Sequence, residues 1–288
     1  MAARILRLRW LKRWGLPLDP AQFSRERSYR RIVCRIYQEW ARSENKPRWG
    51  DKTPQYVTEI PTLLEIFPAG KIIHIYRDGR DVSLSWLRTK LGPANLYTAA
   101  SSWKELVSTG RNVGARLSPK TYLEVRYEAL LVSPKEIMKR ICEFVGEPFT
   151  EEVLKLNSRR TYPSPKFGLR HFTEIIDTNM NNWKSEMSLS DRILFESVAG
   201  DLLESLDYET EGRVRRISKP EQLMWTAHHY FWWLLKRTDI RGKYGFFNHL
   251  PTLWMKWSEL RYGSQSARKS EARRKNTESR ERSNSRLE

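Results

Sequence analysis

No stretch of the chain restricts its fold more than residues 71–86, Lys71-Ile72-Ile73-His74-Ile75-Tyr76-Arg77-Asp78-Gly79-Arg80-Asp81-Val82-Ser83-Leu84-Ser85-Trp86. The first half is a short apolar, β-branched run that ends in charged residues. It predicts a strand of a parallel sheet, buried on both faces. The second half, from Asp81 onward, predicts a helix. Between them Arg77 and Arg80 stand at the carboxyl end of the strand, the edge at which open α/β sheets bind ligands. A guanidinium there, followed by the amides and positive dipole end of a new helix, makes an anion site. Ser85 lies about two turns into that helix and can offer a hydroxyl to the same anion. Read locally, the turn fits a surface loop with solvated charges equally well.

The flanking sequence alternates helix and strand. A helix is predicted over 20–43, where Ile32, Val33, Ile36, Tyr37 and Trp40 recur at helical spacing and Asn45, Lys46 and Pro47 follow. Asp51-Lys52-Thr53-Pro54 reads as a turn whose Thr53 can cap a helix over 54–67. After the organising strand come a helix to residue 90, a break at 91–94 and a helix over 95–117. A second strand, Tyr122–Tyr127, and a helix over 134–145 closed by Gly146 follow. Residues 150–187 are irregular, and a last helix over 188–206 opens with Ser188-x-x-Asp191, similar to a capping box. This order predicts an α/β fold, a parallel sheet flanked by helices with right-handed crossovers.

Three segments, in this order, carry a resemblance. Trp49-Gly50-Asp51-Lys52-Thr53-Pro54-Gln55-Tyr56 resembles the "EKTPxY" turn of sulfotransferases that use 3′-phosphoadenylyl sulfate (PAPS). Arg77-Asp78-Gly79-Arg80-Asp81-Val82-x-x-Ser85 is similar to their 3′-phosphate-binding segment. Val125-Arg126-Tyr127-Glu128-Ala129-Leu130 is similar to their "YEDL" segment. The resemblance covers roughly residues 30–208 and is nearest to the bacterial-type sulfotransferases, which share the RDGR turn with tyrosylprotein sulfotransferases. It implies a P-loop NTPase-like sulfotransferase fold and PAPS as co-substrate. Arg77 and Ser85 would hold the 3′-phosphate, with Arg80 nearby, and Tyr127 would meet the adenine. Without the resemblance Tyr127 reads equally well as a core tyrosine.

Lys52 would reach the sulfuryl group, whose transfer spreads negative charge that a fixed ammonium stabilises. A surface pairing of Lys52 with Asp51 is the alternative. Asp51 is a base by type, or it orients Lys52 or caps a helix. The family also has a mobile loop before a tryptophan such as Trp183, which offers Arg170, His171 and Lys184 to the nucleotide.

A Gly-rich 5′-phosphosulfate loop, which in the family precedes the Lys52-like turn, is not found: neither G-x-x-x-x-G-K-[ST] nor a looser basic Ser-Gly-Thr-Thr version occurs. On this resemblance the sequence would carry only the 3′-phosphate half of a cofactor site. The expected function is sulfuryl transfer to an acceptor hydroxyl or amine whose identity the loops do not disclose. The alternatives are a non-catalytic remnant that binds the nucleotide or a polyanion, and a basic peripheral membrane or nucleic-acid-binding protein.

Charge and composition bound the partners. The formal net charge is +18, more than one nucleotide site explains, so anionic partners are expected, including an anionic membrane face met by the basic and aromatic ends. The charge does not by itself indicate DNA, and nucleic acid is not among the expected partners. Cys34 and Cys142 lie in apolar helical patterns and read as reduced. No apolar run approaches the ~20 residues that cross a bilayer, and the basic start lacks an uninterrupted apolar core. A cytoplasmic protein, peripheral to membranes if its ends engage lipid, is the expectation. His228-His229 has no spacing suited to a metal. The chain divides on composition into a basic segment 1–19, an α/β domain 20–212, an aromatic-rich helical appendage 213–262 and a disordered basic tail 263–288.

Overall fold

The computed structural model describes residues 18–23, 26, 28–89, 92–154 and 180–240. The expected basic N-terminal segment up to residue 17, the candidates Arg170 and His171, the second aromatic run at 246–260 and the basic tail lie outside these residues. The chain divides into two compact units, residues 1–74 with 109–123, and residues 75–108 with 124–288.

The elements follow the predicted order. Helix α1 (Tyr29–Ser43) and α2 (Ile60–Ile66) precede strand β1 (Ile72–Tyr76), which runs into α3 (Gly79–Leu87) and α4 (Leu96–Gly114). Strand β2 (Tyr122–Arg126) is followed by α5 (Tyr127–Val132) and α6 (Pro134–Val145). Short α7 (Trp183–Glu186), then α8 (Leu189–Ser205) and α9 (Lys219–Ile240), complete the described chain. Among the described residues the sheet is a parallel pair, β1 beside β2. The fold is α/β with helices far outweighing strands.

In the first unit, Phe23, Ile32, Ile36, Ala41 and Ile60 are buried. Trp49 stacks on Tyr37 at 4.4 Å and meets Phe67 edge-on at 5.7 Å. The predicted helix over 20–43 is interrupted. A 3₁₀ turn, Pro20–Phe23, is capped by Asp19, and α1 begins only after the extended Ser28. Arg35 ties the two pieces together, donating to the Gln22 carbonyl at 2.9 Å and lying over the Phe23 ring at 5.3 Å. The helix predicted over 54–67 also divides, into a 3₁₀ turn (Pro54–Thr58) and α2. Pro61 explains the break, because it has no N–H to continue a helix from the preceding turn and is tolerated only where a new helix starts. Thr53 stands at the N-cap of the first piece without a side-chain capping bond.

The second unit holds the larger core: Trp103, Val107, Trp183, Met187, Phe195, Leu203 and Tyr208, with α4 and α8 supplying most of it. Gly79 sits where this core leaves no room. A Cβ there would lie 2.3 Å from the Trp103 ring and 2.6 Å from Phe195. Ser188 caps α8, accepting from the Asp191 amide at 3.1 Å and donating to the Asp191 carboxylate at 2.7 Å. Gly146 ends α6 at φ 79°, the left-handed position that suits glycine.

Two expectations about the strands need correction. β1 is not buried on both faces: its burial alternates, and Ile73 and Ile75 are exposed. Among the described residues only one face of the strand is covered, so its continuous apolar run overstates its burial. Tyr127 does not end β2 but opens α5.

Candidate nucleotide half-site

The turn between β1 and α3 belongs to the second unit. Asp78 caps α3, its carboxylate accepting from the Arg80 amide at 2.9 Å. Its own amide donates to Glu128 Oε1 at 2.9 Å. Asp78, Gly79, Arg80 and Asp81 are all buried. Two of the amides expected to face an anion, those of Asp78 and Arg80, are therefore taken by the protein's own carboxylates.

The expectation for Arg80 is corrected. Its side chain is fully buried. The guanidinium donates to Asp78 from Nε at 3.0 Å and from Nη2 at 2.8 Å, and to Glu196 from Nη1 at 3.1 Å. Its plane lies 3.4 Å from the centre of the Trp183 ring. Both carboxylates and the ring are satisfied by this one cation, which leaves it no surface to offer a ligand. Burial pushes the Glu196 carboxyl above its ordinary range, with the Glu211 amide and Arg80 pulling the other way.

Arg77 differs. Its side chain keeps 18% of its surface exposed. Nη2 donates to Asp81 Oδ2 at 2.9 Å, and the guanidinium lies 4.9 Å from the Tyr127 ring centre. Asp81 is itself fixed by the Trp183 amide, which donates to Oδ1 at 2.9 Å. The backbone carbonyl of Arg77 accepts from Trp103 Nε1 at 3.0 Å. Ser85 stands one turn beyond Asp81 on α3, at the i,i+4 spacing that places two residues on one helix face, and it is exposed. A braced, partly exposed arginine side chain, an aromatic ring against its guanidinium and an exposed hydroxyl form a donor set suited to a phosphate beside a planar group.

A half-buried carboxylate holds the second strand end. Glu128 accepts from the Asp78 amide and from the Tyr208 hydroxyl at 2.9 Å each. The Arg126 guanidinium lies 4.0 Å over the Tyr208 ring. Burial, then the Glu128 charge, pushes the Tyr208 phenol well above its ordinary range, so it is a hydrogen-bond donor and not a base.

Lys184 is exposed and paired with Glu209 at 2.5 Å. In the first unit, Asp51 accepts from the Tyr37 hydroxyl at 3.1 Å. A hydrogen bond to Asp51 also raises the Tyr56 phenol. Lys52 is exposed and makes no ion pair among the described residues, so its pairing with Asp51 is not observed.

Sequence reasoning missed Asp81, Trp183, Glu196 and Tyr208 as parts of this arrangement. The i,i+4 spacing of Arg77 and Asp81 was a usable signal. Nothing local marks Glu196, which meets Arg80 across 116 residues of sequence. Among the described residues no group of three metal-ligating side chains occurs.

The model of the sulfotransferase family matches residues 9–151, which include all three segments quoted above. Over those residues the chain resembles the sulfotransferase family. It is similar to a putative protein-tyrosine sulfotransferase of Caenorhabditis elegans, 28% identical over 39% of this chain and 45% of that one. A protein-tyrosine sulfotransferase of Drosophila melanogaster is 26% identical over 52% of this chain and 32% of its own length. The chain thus spans less than half the length of these curated relatives. The sulfotransferase domain of the Synechococcus PCC 7002 olefin synthase superposes with a TM-score of 0.50 at 25% identity, over 68% of this chain and 78% of that one.

Proposed function

We propose that this chain binds PAPS or its product, adenosine 3′,5′-bisphosphate, and serves sulfuryl transfer to an acceptor hydroxyl or amine. One observation carries the reading: within the family-matching region, the partly exposed Arg77 side chain is braced by Asp81 and Tyr127, and Ser85 is exposed on the helix that follows. Arg77 would supply the charge for the 3′-phosphate, Ser85 a hydroxyl donor and Tyr127 an apolar face beside the adenine. Asp81 keeps the guanidinium in one rotamer, which lowers the entropy lost on binding. When bound, PAPS supplies the sulfuryl group and a bisphosphate leaving group. Lys52 would stabilise charge on the sulfuryl oxygens, an assignment that rests on the resemblance and on its exposed ammonium. Asp51, held by two phenols, is better suited to fixing that turn than to taking a proton.

Calorimetric titration of adenosine 3′,5′-bisphosphate tests the reading. Wild type should bind, and Ser85→Ala should bind about tenfold more weakly with unchanged stability, the effect of one lost hydrogen bond to a charged group. Arg77→Lys keeps a cation beside Asp81 yet should lose more, because an ammonium lacks the guanidinium's fork. Transfer of labelled sulfate from PAPS to a tyrosyl peptide then separates an enzyme from a nucleotide-binding remnant. Absence of binding in wild type would sink both.

A further inference from the structure

Helix α9 is apolar on two faces. Its inner face is anchored within the second unit: Asn95 Nδ2 donates to the Trp225 carbonyl at 2.8 Å, and the Ala94 amide donates to His229 Nδ1 at 3.2 Å. Its outer face carries Leu223, Met224, Tyr230, Phe231 and Leu234, each more than half exposed. At ~100° per residue these five span about 120° of the helix surface. Only Ala227 joins them in that arc, so no charge interrupts it over three turns. A contiguous exposed apolar patch of this kind marks a contact site.

Cations flank the patch. Residues 212–220, leading into the helix, contain Arg213, Arg215, Arg216 and Lys219 and no acid. Arg215 is paired with Glu221. Arg213, Arg216 and Lys219 are exposed, with no ion pair among the described residues, and Lys219 stands one turn before Leu223. Beyond the patch the sequence continues with Lys236, Arg237, Arg241 and Lys243. Pairing two copies through this face would bring together chains that each carry +18 and the exposed Arg213, Arg216 and Lys219. An anionic surface complements them. Among the described residues no helix is long and apolar enough to cross a membrane.

We propose that α9 is an interfacial helix. Its face Leu223–Leu234 would lie in the headgroup region of an anionic lipid bilayer, with the Arg213–Lys219 cluster on the lipid phosphates and carboxylates. Apolar burial and a basic cluster together supply the two signals that stable peripheral binding needs.

Co-sedimentation of the full chain with phosphatidylcholine–phosphatidylserine vesicles, and with phosphatidylcholine vesicles alone, tests this. The wild type should pellet with the mixed vesicles and bind the neutral ones at least tenfold more weakly. Phe231→Ser with Leu234→Ser should lower the partition coefficient by on the order of tenfold or more, with an unchanged thermal melt. Arg213→Gln, Arg216→Gln and Lys219→Gln together should lower it about a hundredfold and flatten its salt dependence. Equal binding of the double-serine variant would overturn the proposal, because attraction would then come from charge elsewhere. So would a wild type that stays in the supernatant, whether a monomer whose later segment covers the face or a dimer by sedimentation velocity.

Discussion

The turn at Asp51–Pro54 and the turn at Arg77–Asp81 use the same residue types and reach opposite chemical states. Each sets acids beside cations at the start of a helical element. In the first, Asp51 and Lys52 are exposed; two phenols hold the carboxylate, and the ammonium has no ion pair among the described residues. In the second, Asp78, Arg80 and Asp81 are buried. There every carboxylate oxygen of Asp78, Asp81 and Glu196 accepts from a donor of the same unit. Availability of a charge is therefore decided by burial and partners, not by residue type. The same contrast divides Arg77 from Arg80, three residues apart in one turn: one side chain stays partly exposed and the other is fully buried.

Removing the cation that the second turn is built around should have the largest effect. Arg80→Met leaves Asp78 and Glu196 buried without their shared partner and should cost about 3–5 kcal/mol in urea denaturation. Lys52→Met in the exposed turn should stay within about 0.5 kcal/mol. Similar costs for the two would erase the distinction. A smaller effect is expected from Tyr37→Phe, which removes one donor to Asp51 and should cost about 1 kcal/mol. No loss would show that the first turn is held by the stacking of Trp49 on Tyr37 alone.

The smallest effect is one of pH. The Glu196 carboxyl is raised by burial, so the folded state binds its proton more tightly than the unfolded state. The stability this contributes is full below the ordinary glutamate value and lost as pH rises through the raised one. The advantage of wild type over Glu196→Gln should therefore shrink from acid toward neutral pH in denaturation midpoints. An advantage that grows with pH would mean the pairing with Arg80 outweighs burial.

Local pattern made much of the molecule legible. The strand at Ile72–Tyr76, the helix at Pro134–Val145 with its glycine stop and the Ser188 cap follow from side-chain periodicity and capping chemistry, which act over a few residues. Where proline intervenes, as at Pro61, the sequence held the signal but the apolar spacing on both sides concealed it.

Sequence by itself determined the order of helices and strands, the positions of Lys52, Arg77, Ser85 and Tyr127 in family-like segments, and a cationic chain suited to anionic partners. Only the tertiary structure decided which of those charges remain for a ligand. Asp78 and Glu128 take the amides of Arg80 and Asp78, Glu196 comes from 116 residues away to claim Arg80, and Asp81 braces an Arg77 side chain that stays partly exposed. These outcomes depend on contacts between residues up to 116 positions apart, where burial strengthens each charge pair and no local spacing encodes the meeting.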